Sequence, residues 1–335
     1  MIRKLGWSLV VFAALLLASC DDDEEDKNYK YMEGDIEYTL PDYCIVGDVI
    51  EVSLEGEGIT DPADVEYNWI FDGDTTLNTK TLRIEIPDSA AVYWVSCFAR
   101  YDKYVQVTNT QSVQALDTAF NGSVHGLAPG TATFTDPRDN RSYQYRQIGN
   151  LDWFVENLAY RGTGVAYQKN DLMSDIYGRY YSWNDATGGE SRTGLGNGPQ
   201  GCCPEGWSVP TAEDWADLAL AVSEGQVSDF YTSWPQLGSV LSVEAYENAE
   251  RMWPYSPDHK HRNTYGWNAF PAGNTQDSYL RFLNKNEYGM WWSSTQCDEQ
   301  TAYYRYIYYN QPDCLVHFVD KAAFGVMVRC VRMAQ

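Results

Sequence analysis

Between Ala132 and Gln335 only one stretch of this chain carries apolar residues at helical spacing. It opens at Pro210-Thr211, where Thr211 can cap and Asp214, three residues on, forms a capping-box pattern with Asp in place of Glu or Gln. Trp215, Leu218 and Val222 then fall on one stripe at steps of three and four, so the helix is expected to pack inward. The region as a whole is rich in Tyr, Trp, Gly and Asn, with this as its one credible helix.

The end of the chain reads as consecutive strands over Trp291 to Ser294, Ala302 to Tyr309, Cys314 to Val319 and Phe324 to Arg332. Asn310-Gln311-Pro312-Asp313 is a hairpin turn between two of them, and Lys321 to Ala323 a further bend. Because successive side chains alternate, Tyr304, Tyr306 and Tyr308 share one face while Tyr303, Arg305, Ile307 and Tyr309 share the other. The Ile307 face is expected to be buried, which leaves the three tyrosines as an aromatic platform. With Trp291 stacking beside them, and Asn310, Asp313 and His317 offering hydrogen bonds, such a face fits the CH side of a glycan or a protein surface. The competing reading is a sheet covered on both sides, whose rings are all core.

From Gly34 to Leu116 the pattern is short strands separated by turn residues. Ile50 to Leu54 alternates, Tyr67 to Phe71 begins another strand, and Asp72-Gly73-Asp74 reads as a hairpin turn rather than a calcium site. Leu82, Ile84 and Ile86 share a face, Pro87-Asp88 breaks the run, and Val92 to Arg100 is the long final strand. The expectation is a β-sandwich, and the run resembles immunoglobulin-like and PKD-like modules of bacterial surface proteins, with Trp69 as the buried strand tryptophan. Cys97 lies on the face of Tyr93 and Val95, so an intersheet bridge from Cys44 to Cys97 is one expected outcome and two free thiols the other. Residues 117–131, with Gly122, Gly126, Pro129 and Gly130, read as the joint to a second domain over 132–335.

Residues 1–19 read as a signal peptide, with Arg3 and Lys4 ahead of an apolar run, Leu5 to Leu17, that is short for a bilayer span. The run ends Leu17-Ala18-Ser19-Cys20, which resembles the bacterial lipobox and makes Cys20 the candidate lipidation site; ordinary secretory cleavage is the alternative. Residues 20–33 then form an acidic tether, Asp21 to Asp26 being all carboxylates. That run resembles the export signal that places Bacteroidetes lipoproteins on the outer face of the outer membrane, or it simply solvates a linker. The chain holds 24 basic against 47 acidic residues, a net charge of −23, which argues against nucleic acid as a partner.

Six blocks in order carry a wider resemblance. They are Phe134 to Asp139 with Ile148-Gly149-Asn150, Trp153 and Glu156-Asn157-Leu158; Tyr177 to Trp183; Cys203 to Pro210; Phe270 to Gly273; Trp292 to Thr295; and Val328 to Val331. Together they resemble the Fibrobacter succinogenes major paralogous domain over about 200 residues. That family is similar to formylglycine-generating sulfatase-modifying domains and to C-type lectin folds. The resemblance implies an α+β C-type-lectin-like domain and a disulfide between Cys203 and Cys330. The C-terminal segment also resembles the variable region of proteins diversified by retroelements, whose outward positions here are Tyr306, Tyr308, Asn310, Asp313 and His317.

Other motifs carry less. Trp183-Asn184-Asp185 and Gln311-Pro312-Asp313 stand in the reverse of the order used by calcium-dependent lectins, so no metal is assigned. His259-Lys260-His261 lacks a third ligand and reads as a loop. No nucleophile elbow, phosphate loop or HExxH helix occurs, and no cofactor is expected. Taken together, the expectation is a lipid-anchored outer-membrane protein of the cell exterior that binds a glycan, or a protein on a host or bacterial surface, without transforming it. A formylglycine-generating-like enzyme using Cys202 or Cys203, and a structural envelope or fimbrial component, are the alternatives.

Overall fold

The computed structural model describes residues 29–116, 124–247 and 250–335. Cys20, the expected signal peptide and the acidic run Asp21 to Asp26 lie outside the described residues, as does the first part of the expected joint. Among the described residues no helix is long and apolar enough to cross a membrane. The chain is mostly strand, arranged in several sheets.

In the N-terminal part, β1 (Tyr43–Ile45), β2 (Glu66–Phe71), β3 (Asp74–Thr76), β4 (Val92–Arg100) and β5 (Val107–Leu116) form one sheet in the order β1-β5-β4-β2-β3. Asp72 and Gly73 join β2 to β3 with φ of 46° and 86°, the left-handed pair that a two-residue hairpin turn requires. Across the core lies a two-stranded sheet of Val49–Ser53 with Thr81–Glu85, which turns Val52, Leu82 and Ile84 toward Trp69, Val95 and Cys97. Trp69 is fully buried, and its Nε1 donates to the Thr79 carbonyl at 3.0 Å, so its one polar atom is satisfied.

Cys44 and Cys97 are both buried free thiols rather than a bridge. They stand on the same sheet: Cys44 pairs with Ala115 of β5, while Cys97 pairs with Asn109 of that strand from its other side. Two strand spacings, about 10 Å, separate them laterally, and six residues of β5, about 20 Å, separate them lengthwise. A disulfide needs its Cα atoms within about 7 Å. The run 92–100 is also not the last strand. β5 follows it with Thr108, Thr110 and Ser112 on an exposed face, a polar alternation that hides a sheet-central strand.

In the C-terminal part, Ala132–Thr135, β6 (Ser142–Ile148), β7 (Leu151–Phe154) and a final strand at Val331–Met333 form an antiparallel sheet that sets the chain end beside Trp153. The single long helix, α1 (Ala212–Val222), begins as its sequence requires: Thr211 Oγ1 accepts from the Asp214 amide at 3.1 Å, and Asp214 Oδ2 accepts from the Thr211 amide at 2.9 Å. Trp215, Leu218 and Val222 are buried. Trp153, Trp215 and Trp267 meet with ring centroids 5.1–6.1 Å apart, and Trp291 extends the group from Trp267 at 4.9 Å.

A three-stranded meander divides this part into two cores: β8 (Tyr288–Gln296), β9 (Thr301–Tyr308) and β10 (Cys314–Asp320). Trp291, Ile307 and Cys314 face the tryptophan-rich core, whereas Met290, Trp292 and Ala302 face a second one with Phe154, Trp183, Trp207 and the Cys203–Cys330 disulfide. The expected strand from Phe324 to Arg332 is broken. Gly325–Val326 pairs with Tyr181–Ser182 and Asn274–Gln276, and Val331–Met333 belongs to the other sheet. Between them the Val328 and Cys330 carbonyls accept from the amides of Leu158 and Phe154, which carries the chain from one sheet to the next. The later part of the joint is also woven in, because Val124–His125 pairs with Tyr246–Glu247. Tyr43 and Leu116 pack into the tryptophan-rich core, and Tyr43 Oη donates to Gln168 Oε1 at 2.7 Å, so the two parts touch.

Candidate binding face

Alternation along β9 places its side chains as its sequence suggests. Arg305 and Ile307 are fully buried, while Tyr304, Tyr306 and Tyr308 stand half-buried on the opposite face. The register sets Tyr308 opposite Tyr288, Tyr306 opposite Met290 and Tyr304 opposite Trp292. The result is a graded ladder of rings. Tyr304 is the deep end, packed on Phe324 at 5.4 Å and edge-on to Trp292 at 6.1 Å. Tyr306 lies 5.7 Å from Tyr304 and 6.1 Å from Tyr288, and Tyr308 stacks on Tyr288 at 4.4 Å with planes 24° apart. Burial pushes the Tyr304 hydroxyl up to about 12, so this phenol stays protonated and can donate at neutral pH.

The remaining expected contacts fall in three places. His317, opposite Tyr304 on β10, is exposed and extends the ladder: its ring tilts toward Tyr304 at 6.2 Å and stacks on the exposed Phe318 at 5.2 Å. Its Nδ1 donates to the Phe318 carbonyl at 2.7 Å. Asn310 is exposed in the turn beyond Tyr308. Asp313 is half-buried, and its Oδ1 already accepts from the Gln236 amide at 2.9 Å, so this carboxylate shapes a loop before it meets any ligand.

Trp291 is a correction. It stands opposite Arg305, on the other face of the sheet from the tyrosines, with 1% of its surface exposed. Its Nε1 donates to Asn157 Oδ1 at 2.8 Å, so ring and polar tip are both consumed by the core. Tyr288 takes its place in the ladder, whereas Phe318, opposite Tyr303, belongs to the other face of the sheet. The alternation Tyr288-Met290-Trp292 was the available signal for Tyr288, since it continues the aromatic face one strand away. The two lectin-like motifs have structural roles. Trp183 is buried with Nε1 donating to the Ser293 carbonyl at 2.9 Å, and Asp185 accepts from Ser182 Oγ at 2.8 Å in a helix cap.

His259 is buried and His261 half-buried, with ring centroids 4.3 Å apart and each 3.0 Å from Ser242 Oγ. His259 Nδ1 lies 3.2 Å from the carbonyls of Tyr308 and Tyr309, which only accept; it therefore carries the proton, and Nε2 accepts from Ser242. Ser242 Oγ accepts in turn from His261 Nδ1. Burial lowers His259 from the ordinary histidine value, and burial, together with the facing His259 and Arg251, pushes His261 down to about 3. The unfolded chain, with histidines near 6.5, binds protons that the native pair refuses. The pair thus stabilises the fold fully above about pH 6.5, and this contribution is lost as pH falls toward 3. Melting temperature measured from pH 7 to pH 4 should drop less in His261→Gln than in the wild type; parallel curves would refute the linkage.

Cys202 is buried, and desolvation raises its thiol well above the usual range despite the neighbouring Arg138. It is therefore a poor nucleophile at neutral pH. Cys203 is consumed in the disulfide with Cys330, and Cys314 is buried, whereas Cys297 is exposed. Among the described residues no group of three or more His, Cys, Asp or Glu side chains is placed to hold a metal ion.

Compared with known proteins, residues 147–332 match the family model of the Fibrobacter succinogenes major domain. No curated protein matches the chain.

Proposed function

Since the chain belongs to the Fibrobacter succinogenes major domain family through residues 147–332, we propose that it is a surface lipoprotein whose C-terminal domain binds a glycan or a protein surface through the ladder of Tyr288, Tyr304, Tyr306, Tyr308 and His317. In this reading the N-terminal strands form an immunoglobulin-like or PKD-like spacer, and the C-terminal domain is C-type-lectin-like. The lipid on Cys20 and the acidic tether hold both outside the outer membrane. The observation that carries the proposal is the grading of the ladder: the Tyr304 end is locked into the core by Trp292 and Phe324, so the Tyr306, Tyr308 and Tyr288 rings are held in place without being covered. Planar rings fixed in this way stack on sugar CH faces or anchor a protein contact at low entropic cost.

Replacing Tyr306 and Tyr308 together by Ala is expected to abolish binding on a glycan array or to intact cells. Because both rings are half-buried, each truncation should cost about 1–2 kcal/mol of stability, below the roughly 3–5 kcal/mol of a fully buried aromatic ring. A double variant that keeps its binding, or one that loses its cooperative unfolding, would return these rings to the core.

A further inference from the structure

The meander has one open side. β10 is the last strand of its sheet, paired with β9 alone. Which of its main-chain groups face outward follows from a single bridge. Cys314 exchanges both of its main-chain hydrogen bonds with Trp234, at 3.0 and 2.8 Å, and so points away from β9. Successive peptide groups of a strand alternate in direction, so Val316, Phe318 and Asp320 point outward as well. From the other end, the Lys321 amide donates to the Gln300 carbonyl at 3.0 Å, back across the sheet, which fixes the same phase. Among the described residues none of the three outward positions finds a main-chain partner. Only the exposed His317 ring touches them, by donating to the Phe318 carbonyl.

The chain itself begins a fourth strand at Trp234 and abandons it. Just ahead of that bridge the Phe230 and Thr232 carbonyls turn onto the sheet face to accept from Arg305, the latter at 3.0 Å. The edge left open, from Val316 to Asp320, spans about 14 Å, room for about five residues of an added strand. No lysine, proline or bulge interrupts Leu315 to Val319, so the usual devices that close an edge are missing. Beside it, Phe318 is 46% exposed and continues into Tyr303 at 6.1 Å and the exposed Tyr231 at a further 5.3 Å, which makes an apolar shelf.

The free charges around this shelf have one sign. Burial, then the nearby Glu213 and Asp229, raise the Tyr231 hydroxyl, and all three acidic or aromatic side chains are exposed. Exposed Asp320 ends the edge, with exposed Asp298 beside it, since Asp298 Oδ1 accepts from the amide of Thr301, opposite Asp320. The cations are engaged: Arg305 is buried against Trp234, and Lys321 Nζ donates to Gln296 Oε1 and to the carbonyls of Asp298 and Glu299.

We propose that this edge accepts an extended segment of another polypeptide, which adds a strand in the antiparallel sense already adopted by Trp234, rests apolar side chains on the shelf and carries lysine or arginine at its ends. In such an addition main-chain hydrogen bonds supply affinity and alternate side chains supply selectivity. A second copy of this chain offers the same edge, but each copy carries a net charge of −23, which opposes their approach. The edge works through main-chain groups and does not depend on the tyrosine ladder.

The test is calorimetric titration of the whole protein with a heptapeptide, blocked at both ends, in which threonine and valine alternate between terminal lysines. A Kd of about 100 μM or tighter is expected at low salt, weakening as salt screens the acidic flanks. The same peptide ending in glutamates should bind at least tenfold more weakly, and one with a central proline should show no measurable binding. Phe318→Pro removes an outward N–H that β9 does not use, and it should lower affinity at least tenfold. Phe318→Thr keeps that N–H and should lose less. If Phe318→Pro does not fold, the proline-bearing peptide on the wild-type protein still decides the matter. No binding of the lysine-ended peptide at about 1 mM, equal binding of its proline form, or unchanged affinity in folded Phe318→Pro would overturn the assignment. A dimer of the protein alone in sedimentation, abolished by Phe318→Pro, would overturn it too and give the edge to a second copy.

Discussion

Serine at both Cys203 and Cys330 should lower the free energy of unfolding by about 5 kcal/mol, because the bridge closes a loop of 127 residues and removes that much chain entropy from the unfolded state. The bond joins the segment ahead of α1 to the run that enters Val331–Met333, so it ties the middle of the C-terminal part to its last strand. Both cysteines have no exposed surface and sit in the second core beside Trp207 and Trp292. Reductant should therefore act slowly on the native protein and rapidly once the chain unfolds. Urea unfolding of the double serine variant, compared with the oxidised wild type, measures the difference. A loss below about 1 kcal/mol would mean that the reduced unfolded chain is already as compact as the bridged one.

What could be read in advance was what local chemistry decides. The helix over Ala212–Val222 is announced by a cap and a stripe within twelve residues of each other, and both are in place. The β9 faces follow from alternation alone. Trp291 shows the limit of that rule. It and Trp292 point to opposite faces, and each enters a different core, because the meander is covered on both sides at that end. A strand aromatic on both faces carries no local sign of which side is open. The Cys44–Cys97 bridge failed for a similar reason: the face of Cys97 was right, but the sheet of Cys44 is set by a parallel pairing of Tyr43 with Gln114, 71 residues on. Likewise, His259 and His261 do share a face, yet the Ser242 that bridges them comes from another part of the chain.

Alanine at Arg329 should cost more than about 4 kcal/mol and disturb the proposed binding face from behind. Arg329 has no exposed surface, and burial pushes its guanidinium down to about 9. It forms no ion pair among the described residues. Each of its three nitrogens has an acceptor instead: Nε donates to Asn157 Oδ1 at 3.0 Å, Nη2 to the Asn268 carbonyl at 2.6 Å and Nη1 to the Trp267 carbonyl, while its guanidinium carbon lies 4.1 Å from the centre of the Trp267 ring. Truncation leaves two buried carbonyls unpaired, at about 1–3 kcal/mol each, and opens a cavity between Trp267 and Trp291. Lysine keeps the charge but cannot span three acceptors in one plane, so Arg329→Lys should fall between wild type and alanine. Because Asn157 Oδ1 also accepts from Trp291 while its Nδ2 donates to the Tyr177 carbonyl, losing the guanidinium removes one of three bonds that hold the amide pinning β8, close to Tyr288 at the start of that strand. Unfolding curves for the three proteins, together with their signal on the glycan array or on cells used to test the proposed face, check both halves. A lysine variant as stable as the wild type would show that charge, and not the planar fork, is what this position supplies.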